Sequence, residues 1–282
     1  MTTTRARRRL ARRIGLDTLG LAVVAFFAFP VYWMVITAVK PAIDVQTNPP
    51  QFLPVRPTLA NFATALGRPF FWTYLRNSLL VTLAAVALAL VVALLASAAA
   101  ARMRFRGRRA YLILILAVQM APFEALFIPY FLVFRQFDLL NRLPALVAVY
   151  FVAILPFSIW TLRGFVAAVP VELEEAAMID GCSRPRAFWK VTFPLLAPGL
   201  VATGVFAFLQ AWNEFMMALI IMTRPESMTL PVWLRTFQQA TKSTDWGALM
   251  AGSVLVAVPV VVFFLVVQGR MTGGLVSGAV KG

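Results

Sequence analysis

Histidine is absent from the 282 residues, and cysteine occurs once, at Cys182. Without histidine there can be no Ser-His-Asp triad and no His-ligated metal, and one cysteine cannot close an intrachain disulfide. Charge is scarce too. Only 13% of the residues are charged, where an ordinary soluble domain carries about 25%. No G-x-x-x-x-G-K-[ST] occurs, and none of the fifteen glycines precedes Lys-Ser or Lys-Thr. The chain therefore cannot cradle ATP phosphates in a P-loop. What is abundant is apolar: 61% of residues are hydrophobic and the mean hydropathy is +0.83. These values exclude a disordered chain, a disulfide scaffold and a water-soluble domain.

A membrane span needs roughly 20 mostly apolar residues. Six runs qualify, at 18–39, 77–101, 110–134, 143–162, 191–222 and 246–269. The expected fold class is an all-α integral membrane bundle of six spans. Residues 1–13 form a basic tail and 14–282 a single transmembrane domain. The fifth run is 32 residues long, so it is expected to tilt or to overrun one membrane face. The first run follows Arg5, Arg7, Arg8, Arg9, Arg12 and Arg13. It is longer than the roughly 7–15 residues of a signal-peptide core and lacks a small-x-small cleavage site, so it is read as a span.

The net charge of +15 would suit a nucleic-acid partner, but its placement does not. With the N-terminus assigned to the cytoplasm, seventeen Lys and Arg fall on inner segments and nine on outer loops. That is the positive-inside pattern, with both termini inside. A nucleic-acid surface would gather such charges with aromatics on one folded face. Here they sit at membrane edges, where anionic lipid lies.

Six prolines, Pro30, Pro122, Pro129, Pro156, Pro198 and Pro259, fall inside spans. Each removes a backbone hydrogen bond and tends to kink a helix. Two acids also lie within spans, Glu124 and Glu214. A charge deep in a bilayer is costly and usually faces a cavity or a partner. Trp212, Asn213 and Glu214 together offer an aromatic face, an amide and a carboxylate, which are the groups that a sugar ring needs. The competing reading is that Asn213 and Glu214 bond across helices or hold a gate. Gln119 and Glu124 are further candidates, because a break at Pro122 would open backbone to a cavity.

The inner loop 163–190 stands out. It holds Glu172, Glu174, Glu175 and Asp180, four of the eleven acids. Pro170 followed by acids predicts a helix start. Leu173, Ala176, Ala177 and Asp180 then share a face. Gly181 is expected to end this helix, and Ser183 to cap a second one leading into span five. An acidic flank disfavours anionic lipid and favours a protein partner.

The residues of this loop resemble a known signature. Glu175-Ala176-Ala177, three residues, Gly181, nine residues, then Val191-Thr192-Phe193-Pro194 is similar to the EAA loop, E-A-A-x(3)-G-x(9)-I-x-L-P. Valine stands for isoleucine and phenylalanine for leucine. That loop marks permease subunits of binding-protein-dependent ABC importers. Asn77-Ser78, Arg104-Phe105-Arg106-Gly107, Ile128-Pro129, Ala211 to Phe215 and the ending Gly278 to Gly282 resemble carbohydrate permeases, in particular the maltose-type second inner-membrane subunit.

The resemblance implies a type I importer permease bundle in a bacterial-type inner membrane. It also implies that the chain is a transporter subunit rather than an enzyme. Glu174, Glu175, Ala176, Ala177, Asp180, Gly181 and Pro194 would couple to an ATPase dimer that binds ATP and Mg; no cofactor or metal is expected on this chain. Further partners would be a second homologous permease, an extracytoplasmic solute-binding protein and membrane lipid. The tail Gly273 to Gly282 could also reach the ATPase. The solute would be a mono- or oligosaccharide, with glycerol phosphate or a polyol as the alternative. From another class, an ion-coupled secondary transporter would relay protons through Glu124 and Glu214.

Overall fold

The computed structural model describes the backbone of residues 3–238 and 244–278, with side chains between Arg13 and Gly269. The last four residues, and the side chains of the tail from Arg270, on which the expected ATPase contact of Gly273 to Gly282 falls, lie outside the described residues. Among the described residues the regular structure is entirely helical. In chain order the helices are α1 (Thr3–Ala38), α2 (Ala42–Val45), α3 (Ala60–Leu66), α4 (Phe71–Arg102), α5 (Arg108–Met120), α6 (Phe127–Gln136) and α7 (Leu143–Ala168). There follow α8 (Glu172–Ile179), α9 (Arg184–Ala187), α10 (Phe193–Leu195), α11 (Ala197–Trp212), α12 (Met216–Ile221), α13 (Leu230–Trp233) and α14 (Trp246–Gly278).

Four helices are long and apolar enough to cross a bilayer unaided: α1, α4, α7 and α14. Two bent pairs supply the other spans. The third run divides into α5 and a second segment, Phe123–Gln136, at an angle of 85°. The fifth bends by 68° between Arg184–Leu195 and α11. The fifth run is therefore not one overlong helix. Pro194 and Pro198 flank Leu196, where the bend falls, and each removes an amide donor from the ladder. α11 then ends at Trp212, and α12 resumes after a short break. Of the six prolines, Pro30, Pro156 and Pro259 lie within continuous helices. At Pro122 the chain does break. Ala121 before it is extended, with φ −67° and ψ 133°, as steric contact with the following proline ring favours.

The chain forms two compact units. One comprises the residues up to Pro69 together with Thr236–Ala257. Within it the amide of Asn61 donates to the carbonyls of Ala38 at 2.9 Å and Lys40 at 2.7 Å, fixing α3 to the end of α1. Lys40 is buried beside the Trp33 ring, and loss of water lowers its ammonium pKa.

The other unit comprises Phe70–Arg235 and the chain from Val258. Its centre is the α4–α7 pair. α4 turns Ser78, Ala85, Ala89, Ala93 and Ser97 inward. Such small side chains let helix backbones approach closely in lipid, where packing rather than hydrophobic exclusion drives association. At one end Ala93, Leu94, Ile115, Leu162, Val169 and Leu196 form a continuous apolar cluster uniting α4, α5, α7 and the approach to α11.

Candidate functional site

Two places in the second unit gather the candidate residues. The first is the segment after α7. α8 begins at Glu172, two residues past Pro170, with Glu172, Glu174 and Glu175 in its first turn, where the helix dipole favours acids. It ends in a Schellman turn. The amide of Gly181 donates to Met178 O at 3.1 Å, and that of Cys182 to Ala177 O at 3.0 Å. Gly181 has φ +89°, the left-handed conformation that this turn requires of its glycine. Ser183 precedes α9 in extended conformation but makes no side-chain cap bond. A π-helical turn, Phe188–Thr192, then leads to α10.

Three of the four residues expected to share a face of α8 are exposed. Leu173, Ala176 and Asp180 are exposed, with Glu172, Glu175 and Ile179 beside them; Ile179 is 87% exposed. Ala177 is half-buried. Glu174 points the other way and is only 8% exposed. Its carboxylate accepts the Thr192 hydroxyl at 2.5 Å and pairs with the Arg102 guanidinium at 3.2 Å. Arg102 also donates to the Val169 carbonyl at 2.7 Å. Among the expected coupling residues, Glu174 is thus an internal anchor rather than part of the presented surface. Glu175, Ala176, Asp180, Gly181 and Pro194 are exposed.

The second place is a cavity of about 470 Å3 at the broken third span. Its polar lining is Gln119, Glu124, Tyr150, Gln210 and Glu214, beside the rings of Phe123 and Phe157. Among the described residues no lysine or arginine lines it. Glu214 is held on three sides. Its carboxylate accepts the Met217 amide at 2.7 Å, the Ala218 amide at 3.1 Å and the Tyr150 hydroxyl at 2.9 Å. It thereby satisfies amides at the start of α12 that the broken helix leaves without carbonyl partners.

Three of the five residues expected along a substrate path, Gln119, Glu124 and Glu214, therefore share one cavity. Trp212 and Asn213 do not line it. Trp212 is 1% exposed and stacks on Phe208, ring centres 5.6 Å apart. Asn213 is exposed and donates to Leu209 O at 2.8 Å. α11 ends at Trp212, and residues one or two apart along a helix do not share a face, so neither Trp212 nor Asn213 follows Glu214 into the cavity. Tyr150 and Gln210 also line the cavity but carry no charge, so acids within spans do not point to them. Gln210 lies four residues before Glu214 and could have been found by that spacing. Among the described residues no group of three or more Cys, Asp or Glu side chains is placed to hold a metal ion.

The chain is similar to known proteins. Residues 92–270 match the family described as "Binding-protein-dependent transport system inner membrane component". The diacetylchitobiose uptake system permease protein DasC of Streptomyces coelicolor is 46% identical over 263 residues, covering 93% of this chain and 95% of that protein. The sulfoquinovosyl glycerol transport system permease protein SmoH of Agrobacterium fabrum is 37% identical over 254 residues, covering 90% and 89%. A solved bacterial ABC transporter involved in the import of the acidic polysaccharide alginate shares the fold. It superposes with a TM-score of 0.77 at 22% identity, over 93% of this chain and 96% of that one.

Proposed function

From the premise that the chain belongs to the family of binding-protein-dependent transport system inner membrane components, we propose that it forms half of the translocation path for a neutral sugar. The chain is an inner-membrane permease subunit, a transporter component rather than an enzyme. On this reading both termini and α8 lie in the cytoplasm, as the basic segments favour. The exposed face of α8 docks on a separate ATPase dimer, which binds ATP and Mg. A second homologous permease completes the path, and an extracytoplasmic binding protein delivers the solute. The exposed apolar side chains of α1, such as Leu21, Phe26 and Phe27, meet lipid and the second permease.

The observation that carries the substrate class is the lining of the cavity. Amides, a phenol and two carboxylates suit hydroxyl groups, and the rings of Phe123 and Phe157 suit the apolar face of a sugar. With no cation in the lining among the described residues, a phosphate or sulfonate would meet like charge from Glu124 and Glu214. This favours a neutral glycoside or polyol over glycerol phosphate. Family membership leaves the ion-coupled reading without support. Glu214 already holds three donors, which suits a fixed structural or gating group better than a proton carrier.

The test is a mild-detergent purification of the tagged chain with its partners, followed by reconstitution in liposomes. Uptake and ATP hydrolysis are measured with diacetylchitobiose, maltose, glycerol phosphate and sulfoquinovosyl glycerol. A neutral probe with its binding protein should stimulate both activities, and the anionic probes neither. Stimulation by an anionic probe alone would overturn the substrate class. A chain that purifies without an ATPase, or uptake that follows a proton gradient without ATP, would overturn the importer reading.

A further inference from the structure

We infer that Arg102, Glu174 and Thr192 form a latch that transmits movement of α8 to the membrane spans. Arg102 is a positioning residue on a helix that the EAA signature does not include. The inference rests on the reading of α8 as the ATPase-docking element.

Among the described elements α8 packs chiefly against α9 and the π-helical turn. It is bounded by Pro170 on one side and by the left-handed Gly181 on the other. A short helix mounted this way could rock without disturbing the bundle. The buried cluster prevents that. Arg102 is the last residue of α4, and Glu174 lies in the first turn of α8, so each charge sits at the helix end that favours it. The guanidinium reaches the Glu174 carboxylate at 3.2 Å and the Val169 carbonyl, just past α7, at 2.7 Å. The carboxylate in turn takes the hydroxyl of Thr192, which is fully buried on the approach to α11.

One ion pair thus joins α8 to the ends of two spans and the beginning of a third. Beneath it Leu94, Leu162, Val166, Val169 and Leu196 pack as one apolar cluster, so these span ends move as a body. A largely desolvated pair resists separation, because parting the charges leaves each one away from water without its opposite charge. A push on the exposed face of α8 is therefore passed to α4, α7 and α11 together, instead of being absorbed by the loop.

The test separates transmission from mere bracing. The variant Arg102→Met with Glu174→Leu replaces the pair by apolar groups of similar volume, a change that buried pairs often tolerate without loss of fold. It is assembled with its partners, reconstituted and assayed with diacetylchitobiose and maltose. The expected result is hydrolysis within about twofold of the unmodified complex, with uptake per ATP lowered at least about fivefold, a fivefold change being about 1 kcal/mol of coupling. Parallel loss of hydrolysis and uptake, or an unchanged ratio, would overturn the latch. If the double variant does not accumulate, Thr192→Val decides. It removes only the hydroxyl and should lower uptake per ATP about twofold; an unchanged ratio overturns the inference. An unmodified complex with no ATP-dependent uptake would overturn the reading on which the latch rests, before any variant is compared.

Discussion

Gly199 of α11 lies directly against the ring of Phe165 in α7. A Cβ at position 199 would fall 2.4 Å from Phe165 Cγ and 2.7 Å from both Cδ atoms. No real contact is that short, so Gly199→Ala must push the two helices apart or turn the ring. Overpacking of this kind typically costs about 1–3 kcal/mol. The variant should melt at a lower temperature in detergent than the unmodified chain. Gly204→Ala is the control, since its Cβ would meet only the end of the Leu90 side chain, at 3.3 Å. Equal melting of the two variants would show that the Phe165 contact does not constrain the packing.

Gly181 presents the opposite case. Nothing lies within 4 Å of a Cβ placed there, yet its φ is +89°. Within this chain a small substitution should therefore act through the backbone. A β-branched residue in left-handed conformation costs upwards of roughly 1–2 kcal/mol, whereas asparagine visits that region readily. Uptake should fall in the order Gly181→Asn, Gly181→Ala, Gly181→Val. Gly181→Trp should uncouple transport while the complex still assembles. If Asn and Val behaved alike, or if the Trp variant transported normally, the turn would not be what holds α8 in place.

Long apolar runs made the spans legible, because nothing but a bilayer explains 25 uncharged residues from Asn77 to Ala101. The breaks were only partly legible. Pro122 and Pro156 look alike in sequence, yet the chain bends at the first and α7 runs through the second. Whether a freed carbonyl finds another partner depends on neighbouring helices, which one span does not reveal. In α8 the helix, its acidic first turn and its terminal glycine were all readable. The inward turn of Glu174 was not, because its partner Arg102 lies 72 positions earlier in the chain. Trp212 likewise read as a sugar-facing ring beside Glu214, but the stacking of Phe208 on it and of Phe263 on Phe208 draws it into the core.

Glu214 and Glu226 offer a matched pair of carboxylates. Glu214 holds two amides and a hydroxyl, while Glu226 is exposed in the connection after α12. Removing the first leaves buried donors without partners, at about 1–3 kcal/mol, whereas an exposed substitution usually stays within about 0.5 kcal/mol. Glu214→Ala should lower both thermal stability and uptake, and Glu226→Ala neither. Tyr150→Phe removes one of the three donors and should fall between them. Equal, negligible losses for both glutamates would make Glu214 incidental to the path.

Asn141 joins two connections that are distant in sequence. Its Oδ1 accepts the amides of Thr223 and Arg224, each at 2.7 Å, and the Ser227 hydroxyl at 2.9 Å. Its Nδ2 reaches Thr223 Oγ1 at 3.0 Å, and its backbone is left-handed at φ +61°. Asparagine suits both demands, since it tolerates that conformation and its short amide can meet nearby backbone. Alanine would fail at both, at a cost of about 2–3 kcal/mol from strain and unpaired amides. Asn141→Asp keeps the acceptor oxygen and a side chain that tolerates positive φ. Asn141→Ala should therefore speed protease cleavage between Thr223 and Arg235 in the folded complex, and Asn141→Asp should restore much of the protection. If alanine left the cleavage rate unchanged, the connection after α12 would be held by contacts other than Asn141, such as the Asn77 amide on the Glu226 and Met228 carbonyls.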